Sequence, residues 1–499
     1  MHYASLTVDP AFRVGEVDPR LYGSFVEHLG RCVYDGIYEP GHPTADAHGF
    51  RADVATLTRD LGVPIIRYPG GNFVSGYNWE DGIGPVGQRP TRIDLAWRSI
   101  ESNEVGVDEF QRWASGVGAE PMMAVNLGTR GIDAARNLVE YCNHPAGTYW
   151  SDRRRANGAA EPYGITVWCL GNEMDGPWQI GHKTALEYGR LAAETGKAMR
   201  LVDPSIELVA CGSSNSRMPT FGAWEATVLA EAYDVVDYVS MHTYYEQRGD
   251  DRDSFLASAV DMDGFIDAVV ATADHVRAAG RHRKRIHISF DEWNVWYQGR
   301  FAGERNLEIE QTPTLIEDVY SVTDAVVVGT MLISLLRHAD RVRIGCQAQL
   351  VNVIAPIMTQ RGGPAWRQTI YHPFALTSRH GRGMVLRVEP DGPRHETAAH
   401  GEVPVLDAVA VLAEDPAGVV LFAVNRDQRQ ELTLDVDVRA LPDLTAADHV
   451  GIADDDPDAV NDAHNPDRVT PRRMEAPKLD GGRVQAVLPA LSWNMIRLT

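Results

Sequence analysis

Two glutamates stand where short apolar runs end: Glu173 follows ITVWCL and a Gly-Asn pair, and Glu292 follows IHISF and an aspartate. A carboxylate placed there is costly unless it is paired or used. Taken singly, each is as well explained by a salt bridge or a helix cap. Taken together, at the ends of two separate strands, they suit one chemistry: a carboxyl pair flanking a glycosidic bond, one member giving a proton and the other attacking. Asp291 precedes Glu292, and alternation along a strand is expected to turn it to the opposite face.

The other strand ends carry Glu27, His28, Asn72, Asn126, Asn172, His242, Tyr244, Asn294, Trp296, Gln347 and Gln349. Acids and amides bind hydroxyls, and aromatic rings cover the apolar faces of sugars, so a neutral polyol is the expected ligand. His28 and His242 are expected to hydrogen-bond at the pocket wall, because no His-x-x-x-His spacing offers a metal site. The five cysteines are odd in number and contain no CxxC pair, which indicates neither a disulfide framework nor a thiolate site. No metal and no cofactor is expected.

Eight apolar segments position these residues: 21–30, 65–71, 120–128, 166–174, 206–214, 238–245, 286–294 and 342–350. Helix-like stretches separate them, among them Ala52–Gly62, Asp108–Gly118 and Ala185–Leu201. Strand and helix in alternation imply a parallel sheet with right-handed crossovers, and eight units suggest an α/β (β/α)₈ TIM barrel. An open doubly wound sheet is the rival, but 21–30 lacks the G-x-G-x-x-G that would follow its first strand. Beyond about residue 380 short strands follow one another without helices. Leu432, Leu434, Val436 and Val438 alternate with Thr433, Asp435 and Asp437, the period of a half-buried strand. The expectation is a barrel over 17–378 and a C-terminal antiparallel β-sandwich, jelly-roll-like, over 379–499. The Asp-rich stretch 454–467 fails the EF-hand spacing and is expected to be a solvated loop.

The chain has 499 residues and a formal net charge of −22. That charge argues against a nucleic acid partner, and the basic run 281–285 reads as a solvated helix-to-strand turn. No run of about 18 apolar residues indicates a membrane span, and Met1–Asp9 lacks the pattern of a signal peptide, so a cytoplasmic location is expected.

FDEWNVWY at 290–297, GNEMDGPW at 171–178, IRYPGGN at 66–72, GSFVEHLGRCVYDGIY at 23–38 and AQLVNVIAPI at 348–357 resemble family 51 of the glycoside hydrolases, mostly α-L-arabinofuranosidases. The resemblance extends to NPDRVTP at 465–471 and the final SWNMIRL. It implies Glu173 as acid/base and Glu292 as nucleophile of a retaining, exo-acting enzyme. It further implies that Glu27, Asn72, Asn172, Tyr244 and Gln349 hold an arabinofuranosyl ring, with the aromatics Trp97 and Trp296 around the pocket. The substrate would be an arabino- or arabinoxylo-oligosaccharide. The N-terminal strand, about 1–16, would join the C-terminal β-domain, and the enzyme would be a homo-oligomer, commonly a hexamer. A β-xylosidase or endo-β-glucanase on the same barrel is the nearest alternative; a silent carbohydrate-binding protein would not need both glutamates.

Overall fold

The computed structural model describes every residue except 304, 305, 415 and 416. Eight parallel strands close into a barrel: β1 (Gly23–Phe25), β2 (Ile65–Tyr68), β3 (Glu120–Ala124), β4 (Val167–Leu170), β5 (Glu207–Ala210), β6 (Tyr238–Tyr245), β7 (His287–Val295) and β8 (Val342–Ala348). Each falls in one of the eight apolar segments, β7 running one residue past its end at 294. β8 returns to pair with β1, Cys346 opposite Gly23, and this closure excludes the open doubly wound sheet.

Helices fill the intervals because their ends are specified locally. The helices Ala52–Leu61 and Val107–Val117 stop at Gly62 (φ 80°) and Gly118 (φ 81°), left-handed positions where a Cβ is disfavoured. Helix Ala185–Val202 opens on a Thr184/Glu187 capping box and ends at Asp203, ahead of Pro204. Among the described residues no helix is long and apolar enough to cross a membrane.

Apart from the hairpin of Arg394–Thr397 with Gly401–Pro404, the C-terminal strands form two sheets that share a core including Leu421, Leu434, Val484 and Ile496. Both sheets recruit the N-terminus. Arg13–Glu16 pairs antiparallel with Met384–Leu386, whereas His2–Thr7 runs parallel to Leu432–Asp437. That one parallel pair departs from the antiparallel expectation. Hairpin neighbours must run antiparallel, but the first strand reaches its partner only through the whole barrel and is free of that constraint. The outer face of the larger sheet, with Val411, Phe422 and Trp493, joins the barrel's own core. Trp493 lies against Gly329 of helix Val322–Arg337, where a Cβ would overlap the indole.

The Asp-rich stretch is solvated only in part. Val322 N donates to Ala459 O at 2.9 Å and Thr323 N to Pro457 O at 3.2 Å, so this loop caps a barrel helix. Asp454 pairs with Arg468 instead of standing free.

Candidate active site

A cavity of about 300 Å³ opens at the carboxyl end of the barrel, the face where enzymes of this architecture place their chemistry. Eight of the ten site residues expected from the sequence line it: Glu27, Asn72, Trp97, Glu173, Tyr244, Glu292, Trp296 and Gln349. Asn172 and His242 lie behind that wall, buried, and act on the lining through hydrogen bonds.

Glu173 is carried by an irregular turn. β4 ends at Leu170, Gly171 adopts φ 94°, and Glu173 itself sits at φ 43°. A non-glycine residue there is strained, and such strain survives only where the surroundings fix it. Those surroundings are His242, whose Nδ1 lies 2.9 Å from Glu173 Oε1, and Trp178, whose Nε1 donates to Oε2 at 2.7 Å.

Glu292 is fixed from two sides. Arg67 Nη1 donates to its Oε1 at 2.7 Å, and the Tyr244 hydroxyl donates to its Oε2 at 2.7 Å. Arg67 also donates from Nη2 to Asn172 Oδ1 at 2.7 Å, and the Asn172 amide NH₂ lies 3.4 Å from both Asn72 Oδ1 and Gln179 Oε1.

Asp291 does not face away. The pairing register slips against both neighbours, Ser289 to Glu292 spanning only Ser240 to His242 and Phe290 to Trp293 only Gly345 to Gln347, so strict alternation is broken in β7. Such bulges re-aim side chains beside active sites. Asp291 Oδ1 therefore meets His242 Nε2 at 2.9 Å, and its Oδ2 lies 3.8 Å from Arg67 Nε, so two adjacent carboxylates both point inward. Burial alone would lower the His242 pKa. The charge of Glu292 and the hydrogen bonds from Asp291 and Glu173 outweigh it and raise the value to about 10. The ring is thus a buried imidazolium held by both neighbours.

One oxygen each of Glu173 and Glu292 and one ring nitrogen of His242 lie within 4.8 Å of one another, a ligand-type trio. Both nitrogens of His242 are already engaged by carboxylates, so the trio offers no free imidazole lone pair to a cation. The same distance bears on chemistry: carboxyl groups of retaining glycosidases stand about 5–5.5 Å apart, those of inverting ones about 6.5–9.5 Å. The nearest oxygens of this pair lie within 4.8 Å, on the side of the shorter spacing.

The far wall is built around Glu27. Phe73 N and Trp97 Nε1 donate to its Oε1, both at 2.9 Å, and Gln349 Nε2 donates to Oε2 at 3.1 Å. A Cβ on Gly71 would stand 2.8 Å from Glu27 Oε2, which is why the β2 loop reads Gly-Gly here. Burial, helped by the charge of Glu292, pushes the Glu27 carboxyl up to about 8 against the hydrogen bonds from Phe73 and Trp97.

The chain matches the model of the α-L-arabinofuranosidase C-terminal domain over residues 291–492 and that of the α-L-arabinofuranosidase 1 domain over 57–263. It is 57% identical over 495 residues, 99% of each chain, to an intracellular exo-α-(1→5)-L-arabinofuranosidase of Halalkalibacterium halodurans. It is 51% identical over 508 aligned positions, 99% of this chain and 97% of the other, to an exo-α-(1→6)-L-arabinofuranosidase of Bifidobacterium longum. The solved structure of a family 51 α-L-arabinofuranosidase from Bifidobacterium longum superimposes with a TM-score of 0.96 at 48% identity, each chain covered in full. The chain belongs to family 51 of the glycoside hydrolases.

Several strand-end residues of this family 51 member stand outside the cavity. His28 is buried between Glu101 and the Tyr68 hydroxyl, 2.8 Å from each, and so is not at the pocket wall. Asn126 binds Tyr77 O and its own loop, and Asn294 braces β7 against Ala348 O and Ile354 O. Conversely, Arg67, Trp178, Arg217 and Gln298 belong to the site without having been singled out in the sequence. For Arg67 a signal existed: a cation inside the apolar strand IIRY is costly unless carboxylates meet it.

Proposed function

We propose that this glycoside hydrolase is a retaining exo-α-L-arabinofuranosidase that removes terminal α-L-arabinofuranosyl units from arabino- and arabinoxylo-oligosaccharides. The observation that carries the reading is the short separation of Glu173 and Glu292 inside a cavity walled on one side by Glu27, Asn72 and Gln349. Glu292, held by Arg67 and Tyr244, attacks the anomeric carbon. Glu173 gives its proton to the leaving oxygen; His242 holds its Oε1 and Trp178 its Oε2. The glycosyl ester on Glu292 carries no charge, which lets Glu173 accept a proton from the water that then releases the sugar with net retention. Asn172, its amide oriented by Arg67, offers its NH₂ to a ring hydroxyl, a contact that strengthens as oxocarbenium character develops.

So many hydrogen-bonding groups around one small ring favour a pocket for a chain end over a cleft for mid-chain cutting, and polar pockets reject analogues that leave buried groups unpaired. The names of the relatives support the sugar and an intracellular place, and they differ in linkage, (1→5) against (1→6). A cytoplasmic location and a homo-oligomer, a hexamer by resemblance, belong to the same proposal; light scattering of the purified chain checks the second.

The test is chemical. Glu292→Ala is expected to be inactive on every leaving group. Glu173→Ala is expected to keep the first step on a dinitrophenyl α-L-arabinofuranoside and, with azide, to yield the arabinofuranosyl azide of retained configuration. The reverse pattern exchanges the two roles. A wild type that prefers nitrophenyl β-D-xylopyranoside, or that cuts a β-glucan internally, defeats the sugar assignment.

A further inference from the structure

The cavity is closed on the side of β1, β2 and β8, where Glu27, Asn72 and Gln349 stand. On the other side, after β5, β6 and β7, it is bounded by Arg217, Tyr244 and Gln298, and these same three residues line a second cavity of about 140 Å³. The two spaces are therefore neighbours across one wall, and that wall includes the tyrosine bound to Glu292.

The second cavity is polar and assembled from both parts of the molecule. Tyr245, next along β6, donates its hydroxyl to Asp261 Oδ2 at 2.9 Å on one side of the space. Opposite, Ala399 and His400 reach in from the hairpin joining Arg394–Thr397 and Gly401–Pro404, and Ala399 N donates to Ser254 Oγ at 3.0 Å. Among the described residues neither Arg217 nor Arg248, both lining it, takes part in an ion pair, so their donors remain available to a ligand. Guanidinium donors and the Asp261 and Glu246 acceptors interleave there, a lining that suits neutral hydroxyls better than an anion.

We propose that this second cavity is an outer aglycone subsite, taking the neutral sugar unit one beyond the unit that carries the scissile oxygen. The C-terminal domain then contributes to substrate selection through the 394–404 hairpin. This rests on the arabinofuranosidase reading, and it makes chain length the quantity the enzyme senses.

The experiment compares kcat/KM on nitrophenyl α-L-arabinofuranoside, an α-L-arabinofuranosyl disaccharide and the corresponding trisaccharide. Wild type is expected to favour the trisaccharide over the disaccharide by about tenfold, the size of one hydrogen bond to a charged group. Ala399→Trp, which fills the space, and Arg248→Ala, which removes a donor, are each expected to bring that ratio toward one while the nitrophenyl rate stays unchanged. Equal rates on the two oligosaccharides in wild type, or a ratio that survives both variants, overturn the subsite. Failure of wild type to hydrolyse the nitrophenyl arabinofuranoside overturns instead the reading on which it rests.

Discussion

Arg67 Nη1 lies 2.7 Å from Glu292 Oε1, both side chains being almost wholly buried. The same guanidinium reaches Asn172 with its other terminal nitrogen, so one rigid fork sets the angle of the proposed nucleophile and of the Asn172 amide. A lysine supplies the charge but not the fork. Arg67→Lys is therefore expected to lower kcat/KM by about 10²-fold, the cost of a misplaced reacting group. Arg67→Ala is expected to lose about 3–5 kcal/mol of stability as well, because it removes the buried cation bonded to Glu292. Steady-state kinetics and urea unfolding separate the two effects; an Arg67→Lys variant with wild-type turnover would overturn this view of the fork.

His242 gives the fold a pH dependence. Its value rises from an unfolded 6.5 to about 10 in the folded protein, so its contribution is fully present below pH 6.5 and is lost as pH climbs through 10. Wild type should weaken between pH 7 and 10 more steeply than His242→Gln, which has no proton to lose there. Denaturant midpoints of the two proteins, measured at intervals across that window, should converge toward the alkaline end. Parallel curves would mean that the imidazolium is not what links Glu173 to Asp291.

The barrel was legible because its strands are written as apolar runs that end in glycine or polar residues, and both catalytic candidates sit at such ends. Helix stops at Gly62 and Gly118 were legible for a local reason, the left-handed backbone each adopts. Asp291 turns inward because of a register slip, which breaks alternation and leaves no mark in residue order. Arg67 is not legible as a site residue because a single arginine in a short strand looks like an interruption, and its carboxylate partners lie 224 and 225 positions later. Trp178 and Arg217 lie on loops, where no periodicity says which way a side chain turns. His28 shows the converse error: it ends a strand as the site residues do, yet Glu101 and Tyr68 hold it inside the wall.

Trp97 is anchored to the site by polarity as well as shape. Its indole N–H donates to Glu27 Oε1, the oxygen that Phe73 N also holds. Trp97→Phe keeps the ring face and removes one of three donors from a buried carboxylate. About tenfold loss in kcat/KM is expected, carried mainly by KM, since Glu27, proposed to hold the sugar, is loosened while Glu173 and Glu292 are not touched. A fall confined to kcat would place Trp97 in the chemical step instead.

The backbone at Glu173 carries a cost that two substitutions can isolate. Glu173→Ala and Glu173→Gly both remove the carboxyl and with it the contacts to His242 and Trp178, so both should lose acid/base catalysis to the same extent. They differ in what they do at φ 43°. Elsewhere in a fold, alanine is the more stabilising of the two, because glycine has more freedom to lose. At a left-handed position the order inverts, since the alanine Cβ crowds the carbonyl that follows it, by about 1–2 kcal/mol per residue. The glycine variant is therefore expected to show the higher denaturant midpoint. If alanine proves the more stable, the left-handed turn at the end of β4 relaxes once the glutamate is gone, and the strain is imposed by the side-chain contacts to His242 and Trp178 rather than by the path of the chain.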